Sequence, residues 1–292
     1  MTQPPLMSVR AAREAKLEAT LPSARHPPTR PASPPAVAYL HAVVDAPTRL
    51  AGTTSDFWAG ALGWPAGDPW PGHPELRSLE PPQGRAYAHL QQIHGPPRVH
   101  LDLECDRPGS TVARAVGAGA VVVAAEDRWC TLRSPGGLPF CVLRARAHPA
   151  PQPVTWADGH RSRLVQVCID APQSRHDDEV AFWRGLLGGR WVDSPAAEFA
   201  GTWHDDAGSP LQLLFQRLDE PDGLVRAHLD LGTDDRDAEV ARLLRLGAED
   251  VGEGHDGWHA LRDPAGLAFC VTGNAPDQRR RRDLGRPTGT RE

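Results

Sequence analysis

The feature that most constrains what this chain can fold into is that it is written twice. "DFWAGALGW" at Asp56–Trp64 is answered by "AFWRGLLGG" at Ala181–Gly189, and "VHLDL" at Val99–Leu103 by "AHLDL" at Ala227–Leu231. "WCTLRSPGGLPFCV" at Trp129–Val142 is answered by "WHALRDPAGLAFCV" at Trp258–Val271. The motifs keep their order and nearly their spacing, which indicates duplication of one folding unit. Whatever architecture one block adopts, the other must adopt too.

Each block divides again into halves that read as strand, helix and about three strands. In the first block "LHAVVDAP" alternates as a strand does, and "TSDFWAGALG" has helical spacing, with Ser55 as cap, Phe57, Trp58, Ala61 and Leu62 inward, and Gly63 as terminator. "RAYAHLQQI" (Arg85 to Ile93) is a later strand. The second half opens on the strand "VHLDLEC", continues with a short helix "GSTVARAVGAG" turning Val112, Ala115 and Val116 inward, and closes with strands "AVVVAA", "WCTLRS" and "LPFCVLRA".

Side chains two apart on a strand share a face. One face of the first copy therefore carries Arg98, His100 and Asp102, and the same face of the second carries Arg226, His228 and Asp230. These six are the candidate catalytic residues. Asp102 can orient His100 and keep it a proton carrier near neutral pH, and Arg98 can grip a carboxylate or phosphate. The competing reading is a satisfied ion network at a sheet edge. His89, His94, His204 and His255 have no counterpart in the other block and read as surface residues, whereas Trp58 and Trp183 read as core.

Three breaks frame the blocks. Residues 1–36 are rich in Pro, Ala and Arg and read as a disordered segment; 37–146 form the first domain, 147–160 a proline-rich linker, 161–274 the second domain, and 275–292 a basic tail with "RRRRD" at Arg279–Asp283. The linker is composed to stay exposed, and each block is expected to bury its own core. A net charge of -5 and a pI near 6.2 argue against a nucleic-acid partner. No apolar run reaches the roughly 20 residues of a membrane span, and no signal-peptide core stands at the N-terminus, so a cytoplasmic protein is expected. Five cysteines without a CxxC pair suggest neither a disulfide framework nor a zinc ribbon.

Four βαβββ units in two pairs resemble the vicinal oxygen chelate superfamily, which includes glyoxalase I, bleomycin-resistance proteins and extradiol dioxygenases. The carriers of the resemblance are the "FW…LG" helices, the "HLDL…D" strands and the "SPGGLPFCV" and "DPAGLAFCV" closings, over about Ala38 to Gly273. The resemblance implies an α+β fold of two tandem glyoxalase-like domains, each two paired βαβββ units forming a cupped mixed sheet around a small-molecule or metal site. Its metal positions fall on His41, Gln91, His100 and Cys141 in the first cup, and on Gln166, Gln216, His228 and Cys270 in the second. Both expected glutamates are absent, so no cofactor is the first expectation and an empty second cup follows. A divalent ion, Zn or Fe, is the alternative in the first domain. His41, His100 and Asp102 also make a two-His-one-carboxylate set suited to Fe(II). The resemblance leaves three functions open: a lyase or isomerase using His–Asp acid–base chemistry, non-catalytic capture of a drug or metabolite, and a metal-dependent dioxygenase. The partner is a small molecule in each case, and pairing of units within the chain or across a homodimer stays open.

Overall fold

The computed structural model describes residues 37–146, 149–204, 209–254 and 257–277. The segment 1–36, the run Arg279–Asp283 and His255 lie outside the described residues. The first block runs β1 (Val37–Pro47), a 3-10 turn (Thr48–Leu50), α1 (Ala51–Leu62), β2 (Ala66–Trp70), β3 (His73–Leu79), β4 (Ala88–Ile93), β5 (Arg98–Cys105), α2 (Pro108–Gly117), β6 (Val121–Ala125), β7 (Trp129–Arg133) and β8 (Pro139–Arg144). A two-residue strand β9 (Val154–Thr155) leads into the second block. There follow β10 (Arg161–Ala171), α3 (Gln173–Leu186), β11 (Arg190–Val192), β12 (Phe199–His204), β13 (Gln212–Arg217), β14 (Arg226–Thr233), α4 (Arg236–Arg245), β15 (Glu249–Glu253), β16 (Trp258–Arg262) and β17 (Ala268–Thr272). The strands form two mixed sheets of matching order, β2-β3-β4-β1-β5-β8-β7-β6 and β11-β12-β13-β10-β14-β17-β16-β15. The α+β fold of two tandem vicinal-oxygen-chelate-like halves with cupped sheets is what the sequence implied.

At the centre of each sheet the opening strands of the two half-units lie antiparallel. His41 stands opposite Asp102, Val43 opposite His100, and Asp45 opposite Arg98. In the second sheet Gln166 meets Asp230, Cys168 meets His228, and Asp170 meets Arg226. This register puts the polar alternates on one face. The opposite alternates, Leu101, Leu103, Leu229 and Leu231, are buried in the apolar core beneath the helices. Each such leucine contributes about 2 kcal/mol of burial, so a one-residue slip, which would exchange the two faces, is strongly disfavoured.

The helices do not stay with their own block. Phe57 and Trp58 of α1 pack on Phe269 of β17, with ring centroids 5.7 and 5.3 Å apart. Phe182 and Trp183 of α3 pack reciprocally on Phe140 of β8, at 5.9 and 5.2 Å. Trp58 Nε1 donates to Asp263 Oδ2 at 2.9 Å, in the "DPAG" turn of the other block. The matching turn has Ser134 in place of Asp263. There Glu179 of α3 takes over, accepting from Trp183 Nε1 at 2.8 Å and from the Gly136 amide at 2.9 Å. One apolar core runs through both blocks, so the expectation that each buries its own core is corrected. A β-sheet must cover one face, and here the neighbour's helix does so.

Three local expectations also change. Ser55 is not a cap, because the 3-10 turn starts the helix earlier, at Ala51, and leaves Ser55 inside it; Gly63 does end it, with φ 65°. Val116 is exposed on α2, whose buried positions are Thr111 and Ala115. The linker is partly clamped: Arg242 stacks on Trp156 at 3.5 Å and donates to the Gly60 and Ala61 carbonyls at the end of α1. Buried His160 meets Glu239 of α4 at 2.8 Å.

Candidate metal and proton-transfer site

In the first cup Asp45 Oδ1 accepts from His100 Nδ1 at 2.9 Å, and Asp45 Oδ2 accepts from Arg98 Nε at 2.7 Å. This leaves His100 Nε2 facing Asp102 Oδ1 at 3.5 Å. That oxygen is buried and has no hydrogen-bond partner among the described residues. Cys141, next to Asp102 on β8, completes a cluster whose three donor atoms lie within 4.8 Å of one another. The second cup repeats the arrangement. His228 Nδ1 meets Asp170 Oδ2 at 2.7 Å, Nε2 faces Asp230 Oδ1 at 3.3 Å, and Cys270 joins the cluster. Asp230 Oδ1 is again buried without a hydrogen-bond partner.

Burial alone would lower the pKa of His100, but the charge of Asp45, its hydrogen bond to the ring and the neighbouring Asp102 and Cys141 outweigh it and hold it well above the ordinary value. His228 behaves likewise: burial is outweighed by the charges of Asp170, Cys168 and Asp230 and by its bond to Asp170. Burial pushes the thiols of Cys141 and Cys270 up. Without an ion each imidazole thus carries a proton on Nε2, and a metal would compete for the same lone pair. The donor set fits a divalent transition ion: imidazole, carboxylate and thiol converge on one point, and a second carboxylate fixes the histidine from behind.

Not every expected ligand joins this cluster. His41 is buried elsewhere on the same face. Its Nδ1 lies 2.8 Å from His89 Nε2, and its Nε2 lies 3.3 Å from Glu104 Oε1. It is not among the clustered donors, so neither the four-residue first-cup set nor the two-His-one-carboxylate set is assembled around it. Gln91 is half-buried, in register with Asp45. In the second cup Gln166 Nε2 donates to Asp230 Oδ2, and Gln216 is engaged with Glu198 and Cys168. Arg226 forms a two-pronged pair with Glu220 at the exposed rim, at 2.7 and 3.0 Å. His89, read as a surface residue, is 4% exposed.

Sequence reasoning missed Asp45, Asp170 and Glu104. A signal for the first two was present, because "DAP" stands at the end of the opening strand in both blocks. Glu104 is fully buried, flanked by His41 and, at 3.0 Å, by Arg85. Burial would raise its carboxyl, but His41 and Arg85 bring it down to about 2. Burial and the neighbouring His41 lower His89 to about 3.

The family model for the glyoxalase-like domain matches residues 41–143 and again 166–272. No curated protein sequence matches the chain. Among solved structures, it is similar to the Mn(II)-bound glyoxalase from Novosphingobium aromaticivorans, with a TM-score of 0.59 and 16% identity, covering 81% of this chain and 82% of that one. It also resembles homoprotocatechuate 2,3-dioxygenase from B. fuscum, at TM-score 0.57 and 13% identity, over 87% and 76% of the two chains. A third is 4-hydroxymandelate synthase from Streptomyces coelicolor, at TM-score 0.53 and 16% identity, over 83% and 94%. These likenesses show the fold. The first expectation, of no cofactor, is not supported by the converging donor sets, which besides the two clusters above include a third of Cys168, Asp170 and His228. No helix of the described residues is long and apolar enough to cross a membrane.

Proposed function

The chain belongs to the glyoxalase-like domain family, and we propose that it is a metal-assisted lyase or isomerase acting on a small carbonyl or hydroxy compound in its cups. One observation carries this reading: a buried carboxylate oxygen without a hydrogen-bond partner, beside a histidine nitrogen whose ring is fixed by a second carboxylate, occurs in both copies. His100, Asp102 and Cys141 would hold the ion in the first cup, and His228, Asp230 and Cys270 in the second. A bound divalent ion supplies Lewis-acid polarisation of a substrate oxygen. Asp45 holds His100 in a single orientation, and Arg98, exposed and paired with Asp45 through Nε, would offer its other N–H groups to an anionic substrate group. Asp102 exchanges the proton, since no hydrogen bond from His41 claims it, whereas Gln166 holds its counterpart Asp230. The first cup is therefore the catalytic one and the second a binding copy.

Reconstitution of the full chain with Mn(II) or Zn(II), followed by gel filtration and elemental analysis, tests the reading. It predicts one ion per cup and loss of one ion in His100→Ala. A chain that retains neither metal contradicts it.

A further inference from the structure

The first cup holds a second cluster that the metal reading does not use. Glu104, His41, His89 and Ser78 form a row across β5, β1, β4 and β3, hydrogen-bonded from His41 to Ser78 and joined to Glu104 by an ion contact. The separations are 3.3 Å from Glu104 Oε1 to His41 Nε2, 2.8 Å from His41 Nδ1 to His89 Nε2, and 3.1 Å from His89 Nδ1 to Ser78 Oγ. Its polarity follows from its ends. The Glu104 carboxylate, paired with Arg85, presents only lone pairs, so His41 turns an N–H at Nε2 toward it. In the tautomer with its hydrogen on Nε2, His41 has a bare Nδ1, which accepts from His89 Nε2–H. His89 Nδ1 is bare in turn, and the Ser78 hydroxyl must donate to it. At the other end Trp70 Nε1–H donates to Ser78 Oγ at 3.0 Å and can accept nothing, which leaves the hydroxyl hydrogen free for His89.

We propose that Ser78 is a nucleophile, activated through His89, His41 and Glu104, and that it attacks small acyl or phosphoryl esters in the first cup without metal. These distances match those of a nucleophile, base and orienting group. As Oγ bonds to the carbonyl carbon or phosphorus, its proton passes to His89 Nδ1, and His89 hands its Nε2 proton to His41. The Glu104 carboxylate, 3.3 Å from His41 at the end of the row, balances the charge that the relayed proton creates. When the bond to the leaving oxygen breaks, the same row returns the proton to it. Ser78 is half-buried, while the three groups behind it are almost wholly enclosed. The second cup is an internal control. Leu214, Gln166 and Gly232 stand where His89, His41 and Glu104 stand, and a Cβ on Gly232 would meet the Asn274 carbonyl at 2.7 Å.

The test is covalent labelling of the full chain with a fluorophosphonate probe in excess EDTA, read by peptide mass spectrometry. Ser78 attacks phosphorus, the P–F bond breaks and fluoride leaves. The expected result is one adduct, on Ser78, with none on Thr202 at the matching position and none in Ser78→Ala. Glu104→Gln and His89→Gln should label about a hundredfold more slowly, the effect of losing a general base. Should His89→Gln not fold, His41→Gln, which copies Gln166, carries the same expectation. Absence of an adduct on Ser78, dependence on metal, or unchanged rates in the folded variants would overturn the proposal. Because EDTA is present throughout, its failure is distinct from failure of the metal reading, which stoichiometry alone decides.

Discussion

The two cups share a quartet and differ around it. His100, Asp102, Cys141 and Asp45 recur as His228, Asp230, Cys270 and Asp170, with the same hydrogen-bond pattern. Around them, His41, His89 and Glu104 of the first cup give way to Gln166, Leu214 and Gly232, and Val43 gives way to Cys168. The donors that converge on one point are therefore present twice, and the row of Glu104, His41 and His89 is present once. The second cup also spends Gln166 on its own aspartate. The two copies thus share a candidate ion cluster, and only the first adds the histidine row.

The sharpest way to break this comparison is to remove the shared histidine from each cup. His100→Ala and His228→Ala should each lower the metal content by one ion, and the double variant should bind none. Asp45→Ala should only weaken the first site, by about 10- to 100-fold, as loss of a ligand's supporting partner does. Equilibrium dialysis separates these outcomes, and equal loss of both ions from either single variant would mean one shared site.

The next effect separates the cups by pH. His89 is lowered from 6.5 to about 3, first by burial and then by His41. A depressed folded pKa means that the unfolded chain takes the proton first. The stability His89 contributes is therefore complete above pH 6.5 and is lost as pH falls toward 3. His89→Leu, which installs the second cup's residue, should flatten urea stability between pH 6.5 and 4, where the wild type declines by a few kcal/mol at most. An unchanged slope would show that His89 is protonated in the folded chain.

The helix exchange gives a smaller contrast. Asp263 accepts from Trp58 and from the amides of Ala265 and Leu267, so Asp263→Ala strands three donors and should cost about 3 kcal/mol. Ser134→Ala in the matching turn should cost about 1 kcal/mol, because Glu179 holds the other donors there. Arg242→Ala, which frees the end of α1 and uncovers Trp156, should also cost about 1 kcal/mol in thermal denaturation.

Much of the fold was legible because repetition and period-2 alternation are local. "RVHLDLEC" put His100 and Asp102 on one face and Leu101 and Leu103 on the other, and no distant residue could change that. Which helix covers which sheet was not legible, since Phe57 and Phe182 would look equally apolar on either. The site was half legible. His100, Asp102 and Cys141 are legible one by one, but their grouping with Asp45 depends on strand register across the sheet. His89 has no counterpart in the second block, where Leu214 stands, so repetition could not point to it. Glu104 interacts across the sheet with His41 and Arg85, a relation fixed by strand register and invisible in sequence spacing.

The central claim is that one quartet makes two equivalent ion sites. A crystal of the full chain grown with Zn(II), with anomalous diffraction collected at the zinc edge, tests it most directly. The account predicts two peaks, one among His100, Asp102 and Cys141 and the other among His228, Asp230 and Cys270, with none between His41 and His89. A single peak at His41 and His89, or no peak in either cup, would contradict it.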